Sequence, residues 1–191
     1  AGGSIVLVFI LCAIMAPLFT PHDPLQGNLS NRLRPPVWIE GGDWAHPLGC
    51  DQQGRDIFSR TLYGARVSIL VGIVVIIFSA IIGVFLGIVA GYFGGWPDII
   101  ISRIVDILLA FPFMLFAIGM MAFLQAGLIN IIMTLTLKGW VPFCRLTRGD
   151  TLSVKTREHV EAARALGAGN GDIMAREIIP NILGPVIVLA T

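Results

Sequence analysis

From Val67 to Tyr92 the chain runs 26 residues without a charged side chain. As one helix that is ~39 Å, longer than the ~30 Å hydrocarbon core of a bilayer. A second charge-free run, Ile107 to Leu137, covers 31 residues, ~46 Å as a single helix. Composition agrees: 55% of residues are hydrophobic, 13% are charged, and mean hydropathy is +0.84. The fold class this implies is an all-α polytopic membrane protein. A net charge of +1 leaves no broad basic face for nucleic acid. Cys12, Cys50 and Cys144 stand in separate regions with no metal-ligand spacing and no disulfide framework.

The long runs divide at helix breakers. The first apolar run, Ser4 to Phe19, ends at Thr20-Pro21-His22-Asp23-Pro24, where the prolines remove backbone donors. The chain lacks an initiator Met and both opens and closes inside apolar sequence, so a fragment is expected, with a truncated first helix over 1–19. Residues 20–66 are rich in Pro, Gly and Asn and predict turns and extended backbone rather than a packed domain. A helix is predicted over about 67–92, in which Ser79, Gly83, Gly87 and Gly91 recur every fourth residue. Such a stripe lets another helix backbone approach closely. The next helix is predicted over about 99–124, kinked at Pro112 and carrying Arg103 and Asp106 at a spacing that allows an ion pair, interfacial or part of a gate. A break near Gln125-Ala126-Gly127 precedes a helix over about 128–146, where Lys138 is either a snorkelling lysine or a pore or partner contact.

The polar stretch from Arg145 to Asn181 interrupts this apolar pattern. Its centre, Arg157 to Gly167, is built of strong helix formers and closes on a glycine stop. Val160, Ala162, Ala163 and Leu166 are read as one small apolar face. So short a helix is marginal alone and needs a surface, expected to belong to another protein.

Two motifs carry a family resemblance. Glu161-Ala162-Ala163, then Gly167, then Ile179-Pro180-Asn181 resembles the EAA loop of ABC-transporter permease subunits. His46-Pro47-Leu48-Gly49-Cys50-Asp51, Gly54-Arg55-Asp56, Ser59-Arg60 and Tyr63-Gly64-Ala65-Arg66 resemble the signature of the dipeptide/oligopeptide/nickel subfamily, in its "C"-type subunit. Cys50 departs from the usual Thr, and Glu177 from a frequent His. The resemblance implies a type I ABC importer transmembrane fold with about five of six helices present. It implies an extracytoplasmic loop over 20–66 and a core permease domain over 67–191. Within that domain a cytoplasmic coupling loop covers 145–180 and a fifth helix starts at 180. The implied partners are a second homologous permease, two cytoplasmic ATPases, an extracytoplasmic binding protein and the lipid bilayer of a bacterial or archaeal cytoplasmic membrane. Val160, Glu161, Ala162, Ala163, Leu166, Gly167 and Pro180 would then couple to the ATPase.

No phosphate-binding G-x-x-x-x-G-K-[ST] sequence occurs, so ATP-Mg is expected in the partner subunits and no cofactor on this chain. His46, Asp51 and Asp56 fit no known ligand set, and Arg55 is read as the better partner for both carboxylates, with Asp56 also placed one helical turn from Arg60. No metal or catalytic residues are assigned. An ATP-independent transporter or channel would place ionisable groups deep in its helices. A membrane enzyme would need a clustered nucleophile and base. Neither pattern is present in the sequence.

Overall fold

The computed structural model describes residues 2–20, 22–125 and 127–191; Ala1, Pro21 and Ala126, the last two at expected breaks, lie outside the described residues. Seven helices order the described chain: α1 (Gly2–Phe19), α2 (Ile57–Phe93), α3 (Gly95–Ala110), α4 (Phe113–Leu124), α5 (Leu128–Val154), α6 (Glu158–Ala165) and α7 (Asn170–Ala190). Among the described residues only α2 and α7 pass as membrane spans by length and composition, and α3 with α4 pass as a pair bent by 92°. The chain forms two compact units, Ala1–Gly72 and Ile73–Thr191.

In the first unit α2 begins at Ile57, ten residues before the expected boundary at Val67. The charge-free stretch marks what lipid can hold, whereas the helix starts where its first turn is capped. Asp56 supplies that cap: its Oδ2 accepts from the Ser59 N–H at 2.8 Å and the Ser59 hydroxyl at 2.6 Å. The 37 residues of α2 reach ~55 Å. Residues 20–56 are mostly turns, with one short 3₁₀ turn at Leu29–Asn31, tied by backbone pairs such as Asn28 N–H to Gly54 O and Cys50 N–H to Arg34 O. Gly54 (φ +70°) is obligatory here, because a Cβ would lie 1.9 Å from Asn28 O.

In the second unit the seam between α2 and α5 sets the geometry. Ser79, Gly83, Gly87 and Gly91 are all buried. A Cβ on Gly83 would meet Trp140 O at 2.4 Å, and one on Gly91 would meet Thr151 Cβ at 2.8 Å. At Gly87 it would sit 1.9 Å from Thr147 Oγ1 and 2.6 Å from Cys144 O. From the other side, a Cβ on Gly139 of α5 would meet Ser79 Oγ at 2.5 Å. Helix α5 runs to Val154, past the expected end at 146, because Trp140, Cys144, Thr147, Thr151 and Val154 continue one buried face at helical spacing. The first ten residues of the supposed coupling loop, 145–154, are therefore helix.

The expected single helix over 99–124 is two. Phe111 is extended (φ −88°, ψ 127°), as the residue before a proline prefers, and α4 starts afresh behind Pro112. Carbonyls freed by a break in apolar surroundings need partners. Lys138 Nζ donates to Phe111 O and sits 5.9 Å and 5.8 Å from the ring centres of Phe113 and Phe116. Among the described residues it meets no carboxylate and closes the break. Asn130 does the same at the end of α4, its amide donating to the carbonyls of Leu124 and Gln125. Near the other end of the chain α7 opens into a π-turn over Ile173–Ile178, just before Pro180.

Substituting Gly87 by Val forces α2 and α5 apart and destabilises the chain by about 1–3 kcal/mol. Gly72→Ala, with nothing within 4 Å of the new carbon, is neutral. Thermal unfolding of both variants in lipid nanodiscs separates these outcomes.

Candidate functional site

Helix α6 sits at the far end of the α2–α5 seam. Val160 is completely buried in one core with Ile88 of α2, Val154 of α5 and Ile173, Ile178 and Ile182 of α7. The surface it needs is thus partly its own chain, which corrects the expectation of an exclusively foreign one. At about 100° per residue Val160, Ala163, Leu166 and Ala162 follow one another around a single arc of about 160°, but only the Val160–Ala163 edge of that arc is covered by the chain. Ala163 packs on the core; Glu161 and Ala162 are exposed, and Leu166 is 89% exposed.

The ends of α6 are fixed. Glu158 and Glu161 occupy its first turn and Arg164 its last, each favourable to the helix dipole. At the C-terminus the Ala168 N–H reaches Ala163 O and the Gly167 N–H reaches Arg164 O, both at 3.0 Å. These two bonds form a Schellman cap, for which Gly167 adopts φ +86°. Glu161's carboxylate has no hydrogen-bond or ion-pair partner among the described residues.

Side-chain bonds hold the neighbouring helix ends. Arg148 of α5 grips Asp98 at the start of α3 with two bonds, 2.5 Å and 2.7 Å. Lys155 Nζ donates to Gly91 O at 2.7 Å, and the Tyr92 hydroxyl donates to Asn170 Oδ1 at 2.9 Å. Sequence reasoning missed the Asp98–Arg148 clamp and placed the ion pair between Arg103 and Asp106, which form none among the described residues. An acid in a helix's first turn beside Pro97 was the available signal. Pro180 is exposed at the start of the regular part of α7 and has no N–H for the turn behind it. The Asn181 amide donates to Glu177 O at 2.7 Å, an added side-chain bond beside the proline.

The signature loop of the first unit is organised separately. Asp51 accepts from the Arg55 N–H at 3.0 Å and the Gln53 N–H at 2.8 Å, and pairs with the guanidinium groups of Arg55 and Arg60. These bonds, the Arg55 N–H foremost, hold its acid at about 2. Arg55 and Arg60 both serve Asp51, so the expected pairing of Asp56 with an arginine is corrected. Asp56 is buried and faces His46 Nδ1 at 3.2 Å. Burial alone would raise its acid, but the Ser59 hydroxyl and N–H, with His46, outweigh that and hold it below the ordinary carboxylate value. Burial and the Asp56 charge push the Cys50 thiol up. Gly49 and Gly54 are buried at tight turns, while Gly64 and Arg66 lie exposed on α2.

Residues 83–191 match the family model of the binding-protein-dependent transport system inner membrane component. The chain belongs to this family. Residues 1–36 match the N-terminal TM domain of oligopeptide transport permease C. The chain is 43% identical over 190 residues to the dipeptide transport system permease protein DppC of Alkalihalophilus pseudofirmus, covering all of this chain and 60% of that protein. It is 40% identical over 190 residues to the oligopeptide transport system permease protein OppC of Bacillus subtilis, again 100% of this chain and 60% of the relative. Identity to the glutathione transport system permease protein GsiD of Pectobacterium atrosepticum is 39% over 188 residues, 98% of this chain and 61% of that one. The chain spans about three-fifths of the length of these curated relatives. The family and these relatives are transport permeases, not enzymes.

The lowered acid of Asp51 fixes a pH dependence. Its contribution to loop stability is fully present above its ordinary value of 3.8 and is lost as pH falls toward about 2. Hydrogen-exchange protection across 27–56 falls over that window, and Asp51→Asn has lower protection already at neutral pH and a smaller further loss through it, the part that belongs to Asp56.

Proposed function

We propose that this chain is a membrane-spanning permease subunit of an ATP-driven, binding-protein-dependent importer of peptides or similar small solutes. One observation carries the reading: α6 is anchored through Val160 in a core shared by α2, α5 and α7, while Glu161, Ala162 and Leu166 stay exposed. A short helix mounted in this way transmits force. Two cytoplasmic ATPases would hold ATP-Mg and receive the outer face of α6, with Glu161 pairing a basic group and Ala162 and Leu166 entering a cleft. When ATP draws the ATPases together, α6 moves, and the shared core obliges the end of α5 and the start of α7 to follow. The π-turn before Pro180 is a point at which α7 yields.

Substrate would pass between this chain and a second homologous permease, delivered by an extracytoplasmic binding protein. The loop over 20–56 would face that protein, and α6 the cytosol. The location is the cytoplasmic membrane of a bacterium or archaeon, crossed several times. Cargo of the peptide class is supported by the names of the relatives, which carry dipeptides, oligopeptides and glutathione.

Glu161→Lys reverses an exposed charge without touching the core. In the reconstituted transporter it lowers peptide uptake and substrate-stimulated ATP hydrolysis at least tenfold, with the amount of chain in the membrane and its unfolding temperature unchanged. Gly167→Val, which strains the cap at φ +86°, does the same. Normal uptake in Glu161→Lys would remove α6 from the coupling path.

A further inference from the structure

His22 is not in either motif, yet the fold brings it to one that is. It lies three residues beyond the end of α1, exposed, and its ring stacks on that of His46 with centroids 4.5 Å apart. His46 is buried, with Nδ1 3.2 Å from Asp56 Oδ1 and Nε2 3.2 Å from the Asn31 amide nitrogen. The ligand-capable atoms of His22, His46 and Asp56 all lie within 4.8 Å of one another. All three line one polar cavity of about 320 Å³, together with Asp23, Gln26 and Asn31.

The hydrogen bonds set the tautomer of His46. Asp56 Oδ2 is occupied by both donors of Ser59, and Oδ1 faces His46. An ionised carboxylate only accepts, so His46 Nδ1 carries the proton and Nε2 carries the lone pair. The Asn31 amide donating to Nε2 fits the same assignment. A carboxylate holding the far N–H of an imidazole is the arrangement that orients histidine toward a metal.

We infer that His22 and His46 bind one divalent transition-metal ion of the zinc, nickel or copper type, with Asp56 orienting His46 from behind. Two imidazoles favour such ions over magnesium or calcium. Metal–nitrogen bonds of ~2.0–2.1 Å bring tetrahedral ligand atoms to about 3.3 Å apart. The two rings are stacked, so the His22 ring must turn its nitrogen toward His46 Nε2 for both to reach one ion, and His22, on an exposed turn, supplies that movement. Asn31 gives up its contact with Nε2, and water or Asp23 completes the shell. The bound ion would tie the residues just past α1 to those that cap α2, a staple independent of α6 and of ATP.

The test uses the purified chain in nanodiscs, equilibrated with Zn²⁺ alone and dialysed against a weak chelator. One Zn²⁺ is retained per chain, magnesium does not displace it, and it protects residues 20–56 from protease. His22→Ala, at an exposed position, lowers affinity at least tenfold with the unfolding temperature of the metal-free chain unchanged. His159→Ala, the remaining histidine on α6, leaves binding as it was. Asp56→Asn weakens binding about 10–100-fold. Failure to retain Zn²⁺, or retention indifferent to His22→Ala, overturns the site and leaves the transport reading untouched.

Discussion

The fold of the second unit depends on the distance between two backbones. Helices surrounded by lipid gain little from burying apolar side chains against each other, because the tails are just as apolar. What holds them is close contact, and contact is closest where side chains are absent. Gly83, Gly87 and Gly91 bring α2 onto α5 at a separation that a single added carbon would violate. Thr147 exploits that proximity, with its hydroxyl 2.8 Å from Phe143 O and 3.3 Å from Gly83 O. Everything at the α6 end, including the Lys155–Gly91 bond and the Ile88–Val154 contact, inherits its register from this seam.

The same physics explains three side chains that look unrelated. At each break in a helix a side-chain nitrogen is brought to the carbonyls there. Lys138 serves Phe111, Asn130 serves Leu124 and Gln125, and Asn181 serves Glu177 beside Pro180. Pro-Asn at the start of the regular part of α7 sets a missing N–H beside an added side-chain donor, although the two concern different carbonyls. Lys138, Asn130 and Asn181 thus each have a structural role at a helix break or end.

The period of small residues in α2 is legible in the sequence because it is local, and so is the glycine stop of α6. The partner of that stripe was not legible. Thr147 and Thr151 read as the start of a polar loop, although both are fully buried; Thr147 satisfies its hydroxyl on its own helix, at Phe143 O, and Thr151 packs its methyl against Gly91. Ion pairing failed for a related reason. Spacing within a helix suggested Arg103 with Asp106, but a guanidinium delivered from α5 fits Asp98 with two bonds, a geometry no sequence window contains. In the signature loop, Asp56 looked like an arginine's partner and is a helix cap, a role that depends on where α2 begins.

Helix α6 shows why an apolar face is not always a covered one. Four small or aliphatic residues in seven positions suggested one sticky side. They do share one broad arc, but packing divides it: Val160 and Ala163, at one edge, go to the core, and Ala162 and Leu166, at the other, stay exposed. A helix with its apolar side wholly covered would be satisfied by its own protein and offer nothing further. One divided in this way is held firmly by its own chain and still exposes an aliphatic edge beside an unpaired carboxylate. Its cap is rigid on both counts, because the Schellman bonds at Gly167 fix where Leu166 is presented. A force on that outer edge passes into the core through Val160 and Ala163, and so to the ends of α5 and α7. The strength of the anchor and the freedom of the exposed edge are two consequences of the same eight residues.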